Sequence, residues 1–389
     1  MRLSKLFQEF ISSEKTGGLI LVICTILSIC LANSPWQSGY IRLWQIEFYD
    51  HNLVHWINDG LMTIFFLLIG LELKREVIGG ELSEVKNVSL PVLAATGGML
   101  IPAGIYFLFN IGTGTLRGVG IPMATDIAFA IGILSLLGKL VPASLKVFLT
   151  ALAVIDDLGA IIVIAVFYTG SLAFEELFIS LGIFCILIVL NRLGIRYLII
   201  YIAGGVGMWY YMMHSGVHPT ISGVLTAFAI PFGANDKKPP AMILEHLLNK
   251  PVAFAIIPLF ALCNTCITLG SEWHVALGNL SSLGIIAGLV IGKPLGIYTF
   301  SRIGAGFGLC DLPRGLKWRN LLGAGFLGGI GFTMSIFITL LAFDDPVTKD
   351  NSKIAIILSS LLSGIIGFMF LRITLKKQIK LRLKNRQVI

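Results

Sequence analysis

Two acids stand side by side in a stretch that is otherwise apolar: Thr150-Ala151-Leu152-Ala153-Val154-Ile155-Asp156-Asp157-Leu158-Gly159. Adjacent residues of a helix point about 100° apart, so the two carboxylates cannot share one face. One acid is then free to be held by a neighbouring helix while the other faces a cavity, which separates their environments and their proton affinities. A carboxylate at the end of an aqueous funnel holds either a proton or a hard cation such as Na⁺, because each occupies the same charge. Burial favours the protonated form and brings that choice into the range of cellular pH. Competition at one carboxylate gives coupled exchange. Lys293, in Gly292-Lys293-Pro294, is the one base inside an apolar run and the natural partner of one acid. The rival reading, that the acids and the lysine are static polar glue, does not explain two adjacent acids against one base.

These charges need elements that place them, and the composition says what kind. Of the 389 residues 56% are hydrophobic and 13% charged, against about 25% charged in an ordinary soluble domain. The apolar residues form long runs, such as 17–32 and 354–371, and a bilayer-spanning helix needs roughly 20 of them. The chain is therefore expected to be an all-α polytopic membrane protein. Charged residues at a helix centre cost roughly 2.5 to 3.5 kcal/mol there, so Glu72, Asp126, Asp156, Asp157 and Lys293, with Asp59 nearer the outer end of the second span, are functional expectations by position alone.

About twelve spans are expected, near 16–35, 56–73, 90–110, 121–137, 144–169, 174–191, 197–213, 216–232, 252–269, 280–300, 321–343 and 352–373. With a cytoplasmic amino terminus, 24 of the 29 Lys and Arg residues fall on inner segments. Four (Arg42, Arg117, Lys349, Lys353) fall outside, and Lys293 lies within a span. That bias sets both termini in the cytoplasm. It also explains the net charge of +8 as topology, in contact with the lipid bilayer, and not as nucleic-acid binding. The first run reads as a retained helix and not a signal peptide. Residues 1–389 form one integral membrane domain with a basic cytoplasmic tail, 374–389.

Two spans are written unlike the rest. The fourth opens Gly118-Val119-Gly120-Ile121-Pro122, and the eleventh carries Gly323, Gly325, Gly328, Gly329 and Gly331. Both are expected to be interrupted helices, the middle members of oppositely oriented triplets, spans 3–5 and 10–12. That is an inverted-topology repeat. Unwound backbone at membrane depth is tolerated only where it lines a cavity or is buried in protein. Pro122-Met123-Ala124-Thr125-Asp126 then places Asp126 where the unwound part of the fourth span ends, and its charge offsets the positive helix ends of a crossing.

Other clusters carry less. Glu72-Leu73-Lys74-Arg75-Glu76 and Glu245-His246 lie at inner ends of spans, where charges are usually solvated, although their grouping suits a pH-responsive role. His214 and His218 have helical spacing with no acid between them, which favours a boundary role over zinc. Cys263 and Cys266 lack the second pair of a metal site. No GxxxxGK[ST] sequence is present, so ATP-driven pumping is not expected, and no cofactor is called for.

Taken together, Trp56-Ile57-Asn58-Asp59, Gly70-Leu71-Glu72-Leu73-Lys74-Arg75-Glu76, Ala124-Thr125-Asp126-Ile127-Ala128-Phe129-Ala130, Ile155-Asp156-Asp157-Leu158-Gly159-Ala160, Ser215-Gly216-Val217-His218, Gly292-Lys293-Pro294-Leu295-Gly296 and Gly331-Phe332-Thr333-Met334-Ser335 closely resemble the bacterial NhaA-type sodium/proton antiporters, in order along nearly the whole chain. The inverted repeat is itself a known trait of that family. The resemblance implies electrogenic exchange of cytoplasmic Na⁺ or Li⁺ for external protons across the bacterial inner membrane, with activity rising at alkaline pH. It implies Asp157 as the principal cation and proton carboxylate, Asp156 as the partner of Lys293, and Lys293 as proton carrier or salt-bridge partner. Thr125 and Asp126 match the charge-compensating element of the broken helix. Glu72, Arg75, Glu76, Glu245 and His246 match a cytoplasmic pH-response cluster. Segment 34–56, which holds a β-hairpin used for dimerisation in the family, is several residues short here and leaves the homodimer contact open. Met242-Ile243-Leu244 stands before Glu245 where a basic residue is familiar, which leaves the pH set point open. A gated cation channel and an organic-anion symporter on a similar repeat are the rival classes.

Overall fold

Lipid offers no hydrogen bonds, so a spanning segment must satisfy its own backbone, and helix does this within one segment. The computed structural model describes residues 5–49, 51–80, 85–233, 239–268, 270, 273–313 and 315–386. Its elements in chain order are α1 (Lys5–Ala32), α2 (Gln37–Trp44), a hairpin of β1 (Glu47–Phe48) and β2 (His51–Asn52), α3 (Leu53–His55), α4 (Met62–Gly79), α5 (Val85–Asn110), α6 (Ile127–Leu136), α7 (Ala143–Phe167), α8 (Phe174–Arg192), α9 (Leu198–His214), α10 (Ile221–Ala229), α11 (Pro240–Pro251), α12 (Ile257–Asn264), α13 (Trp273–Gly278), α14 (Leu280–Ala287), α15 (Lys293–Gly306), α16 (Trp318–Gly328), α17 (Phe332–Ala342) and α18 (Pro346–Arg386).

Among the described residues, 7 helical stretches are long and apolar enough to cross a bilayer, or 10 when each of three bent pairs counts as one span. The remaining two expected spans correspond to α9, with 17 residues, and α10, with 9. The latter is short because Pro231 follows its last turn and cannot continue a helix. Large apolar side chains such as Phe178, Ile186, Ile199, Val206, Leu361 and Met369 are exposed, as a lipid-facing surface requires.

The chain divides into two compact units. One comprises Met1–Leu19, Glu84–Ala160 and Leu269–Ile389. Within it, long helix, broken helix, long helix occurs twice. The first run is α5, the 3-10 segment Gly114–Met123 with α6 bent by 42°, and α7. The second is α14 and α15, then α16 with α17 bent by 48°, and α18. Helix α5 packs on α14 and α15, α15 on α16, and α17 on both α18 and the 3-10 segment. The α5–α15 contact is backbone on backbone: a Cβ on Gly97 would strike the carbonyl of Gly296, and one on Gly296 would strike the carbonyl of Gly97.

The second unit comprises Ile20–Ser83 and Ile161–Thr268. Here α10 packs on α4 and α9, α8 on α9, and α11 on α4. Leu71, Met208, Ala227, Ile230 and Leu244 belong to its core.

Among the described residues, three stretches widen into π-helix, at Trp56–Leu61, Val252–Ile256 and Gly288–Gly292. Two of them end two residues before a proline, Pro258 and Pro294. A proline has no N–H to give and its ring crowds the carbonyl four residues back, so a wider turn relieves the conflict. The last helix begins on a cap: Asp345 Oδ2 accepts from Thr348 N at 2.8 Å and from Thr348 Oγ1 at 2.6 Å. Those bonds hold the Asp345 carboxyl below the usual carboxylate range. From there α18 runs 41 residues, about 60 Å at 1.5 Å per residue, so it stays helical to Arg386, well past the apolar stretch.

Candidate functional site

The first break is set by local chemistry. Pro122 closes the 3-10 segment, and Ala124 and Asp126 are extended, with ψ of 151° and 101°. Extended backbone before a helix is the geometry of an N-cap, and Asp126 is one: its Oδ1 accepts from Phe129 N at 3.0 Å. Its Oδ2 accepts from Thr333 N at 3.1 Å and from Thr333 Oγ1 at 2.5 Å. Thr333 lies in the first turn of α17, beyond the second break. One carboxylate, 3% exposed, therefore caps two half-helices, whose N-terminal ends each carry about half a positive charge.

The two unwound stretches also satisfy each other. Asp126 N donates to Ile330 C=O at 2.6 Å, and Ser335 Oγ donates to Ile121 C=O at 2.7 Å. Thr125 Oγ1 lies 2.8 Å from Gly328 C=O and 2.7 Å from Asp156 Oδ2. A hydroxyl has one hydrogen, so Thr125 chooses between a backbone acceptor in the second break and the carboxylate.

Asp156 and Lys293 are both 0% exposed, with Nζ 2.8 Å from Oδ2. Lys293 also donates to the Met123 carbonyl, beside the first break. Asp156 Oδ1 has no hydrogen-bond partner among the described residues. Asp157, one residue on, is 1% exposed. Ionised together, Asp156, Asp157 and Lys293 carry a formal charge of −1. Such a group, buried beside a helix crossing, gains by taking up one small cation or one proton.

In the other unit Arg75 pairs with Glu245, and with Glu76 at 3.0 Å. Glu72 is 6% exposed and Glu245 3%, whereas His246 is exposed. The burial of Glu72 fits an acid at membrane depth and not the solvated end usual for such clusters, and α10 and α11 both pack against α4. A correction concerns Lys293 as the one base at depth. Lys74 is 8% exposed and points not to water but into the carbonyl end of α10.

At the far end of α4's helical run, Asp59 Oδ2 lies 3.0 Å from His55 Nδ1 and Asp59 Oδ1 lies 3.4 Å from His218 Nε2. His214 instead meets Tyr210 C=O at 2.8 Å. The two histidines of the helical spacing thus do not converge. Among the described residues no group of three or more His, Cys, Asp or Glu is arranged to hold a metal ion.

Sequence reasoning missed Thr333, Lys74 and Asn191, which bonds the carbonyl of Ala229. Thr333 had a usable signal, since it sits two residues past Gly331, where a half-helix presents free N–H groups. Lys74 and Asn191 had none, because their acceptors are carbonyls far away in the chain.

Two interrupted helices crossing beside a buried acid pair and a lysine, in an all-helical membrane chain, define an ion-coupled secondary transporter. The family profile described as Na⁺/H⁺ antiporter 1 matches residues 8–371, and the chain belongs to that family. It is 62% identical to the Na(+)/H(+) antiporter NhaA 1 of Flavobacterium johnsoniae over 372 residues, 96% of this chain and 98% of the relative. It is 58% identical to the Na(+)/H(+) antiporter NhaA of Flavobacterium psychrophilum, over 97% of this chain and 99% of the relative. With that of Cytophaga hutchinsonii it shares 54% over 97% of each. The chain is a Na⁺/H⁺ antiporter of the multi-pass membrane type, a transporter and not an enzyme.

Proposed function

We propose that the chain exchanges cytoplasmic Na⁺ or Li⁺ for more than one external proton per cycle, electrogenically, in the bacterial inner membrane with both termini cytoplasmic. Asp157 is the carboxylate that trades cation for proton, with Asp156 and Thr125 as further oxygen ligands. Lys293 is the salt-bridge partner of Asp156 and a proton carrier when that pair opens. Asp126 compensates the helix ends of the crossing. Glu72, Arg75, Glu76, Glu245 and His246 form the pH-response cluster. The observation that carries this reading is the fully buried Asp156–Lys293 pair, 2.8 Å apart, one residue from a second buried carboxylate. The hairpin Glu47–Phe48 with His51–Asn52, where Phe48 and Tyr49 are exposed, supports a homodimer, a state that native mass spectrometry reports directly.

Proteoliposomes test the exchange. With an acid interior, external Na⁺ or Li⁺ collapses the pH gradient, and an imposed membrane potential alters the rate. Asp157→Asn keeps the shape of the side chain and loses its titratable charge, so it abolishes the collapse while the protein still folds. Cation-dependent proton flux retained in that variant overturns the assignment.

A further inference from the structure

Helix α10 is nine residues long and ends against Pro231. Its last carbonyls, left without partners by the end of the helix, are buried: Ala227, Ala229 and Ile230 are each 0% exposed. Such groups need donors, because an unsatisfied buried carbonyl is costly. Ile230 N bonds Thr226 C=O at 3.1 Å, and Asn191 Nδ2 bonds Ala229 C=O at 2.8 Å. All the others belong to one side chain. Lys74 Nζ donates to Ala227 C=O at 3.4 Å, to Phe228 C=O at 2.7 Å and to Ile230 C=O at 2.5 Å.

That is an unusual lodging for an ammonium. Among the described residues no carboxylate lies within ion-pair distance of Lys74, so three carbonyls and the negative end of α10 stabilise its charge. The neighbouring charges face another way. Glu72, Arg75 and Glu76 on the same helix interact with Glu245 of α11, and α10 itself contains no ionisable residue. Asn191 is the polar contribution of α8. The sequence Glu72-Leu73-Lys74-Arg75-Glu76 is thus split by helical geometry, with Arg75 turned to α11 and Lys74 to α10.

The α4–α10 contact is tight elsewhere too. A Cβ on Gly70 would strike Ala227, and one on Gly223 would strike the Thr63 carbonyl. At the far end His218, just before α10, meets Asp59. Lys74 is the inner pin of a strut already closed at its middle and outer end. We propose that Lys74 is a positioning residue for the pH response: by closing the carbonyl end of α10, it holds the Glu72, Arg75, Glu76 and Glu245 cluster in register with that helix. This rests on reading that cluster as pH-responsive.

The test is Na⁺-dependent proton flux in proteoliposomes as a function of pH, for wild type, Lys74→Met, Lys74→Arg and Glu245→Gln. Lys74→Met shifts the pH of half-maximal exchange by about half a unit or more, since the carbonyl end of α10 loses its donor and no longer holds the acids of α4 in register. Lys74→Arg keeps charge and donors and restores most of the wild-type profile. If Lys74→Met does not reach the membrane, Lys74→Gln, whose shorter side chain brings two N–H donors to three carbonyls and no charge, carries the same prediction. A wild-type profile in Lys74→Met or Lys74→Gln overturns the inference, as does a failure of Lys74→Arg to differ from them. If Glu245→Gln also leaves the profile unmoved, the cluster reading itself fails, whereas a shift in Glu245→Gln alone rejects only the role of Lys74.

Discussion

The acid pair is unequal at the scale of single residues. Asp156 is committed on one oxygen to Lys293 and Thr125, and among the described residues Lys293 has only the Met123 carbonyl besides. Replacing Asp156 by Asn removes the counter-charge and leaves an ammonium that is 0% exposed facing an amide and a carbonyl. Breaking one side of a buried ion pair typically costs about 3 to 5 kcal/mol. Asp156→Asn is therefore expected to lower the thermal midpoint in detergent more than Asp157→Asn does, and adding Lys293→Met should recover part of that loss. Equal midpoints for the two single variants, or a double variant less stable than Asp156→Asn, would reject the division of roles. The adjacency of the acids was legible in the sequence, and so was the consequence that they point apart.

Elements come next, and the two breaks show what pattern reading reaches. Gly118-Val119-Gly120-Ile121-Pro122 and the glycines of α16 announced interruptions because glycine and proline act locally, on their own turn. Which groups would close those interruptions was not legible. Thr333 meets Asp126 only after the chain has returned across 207 positions, and the π turns follow from how Pro258 and Pro294 are accommodated within packed helices. The bend of 120° between α1 and α2 was likewise unforeseen. The double cap predicts a graded series. Asp126→Asn keeps one oxygen acceptor and can cap one half-helix; Asp126→Ala caps neither. Each cap is worth about 1 kcal/mol, so thermal midpoint and exchange rate should fall from wild type through Asp126→Asn to Asp126→Ala. A fully stable Asp126→Ala would mean that the crossing is held by its backbone bonds alone.

For the whole molecule, two sources of pH dependence are on offer, and they sit in different places in the chain. One is competition at the Asp156-Asp157 site, where a proton and a cation occupy the same charge. The other is the cluster of Glu72, Arg75, Glu76 and Glu245, which touches no transported ion in this reading and acts through the packing of α4, α10 and α11. Kinetics separate them. Competition raises the apparent KM for Na⁺ as pH falls, by up to about tenfold per pH unit for one competing proton, and saturating Na⁺ restores the full rate. A regulatory cluster instead lowers the maximal rate at acid pH, and no Na⁺ concentration recovers it. If both act as proposed, wild type shows a rising KM and a falling maximal rate on acidification. Arg75→Gln with Glu245→Gln, which removes the pair that ties α4 to α11, should flatten the maximal rate and leave the KM slope intact. Loss of the KM slope in that variant would put cation binding and pH response in one site, and the separate cluster would have no function of its own.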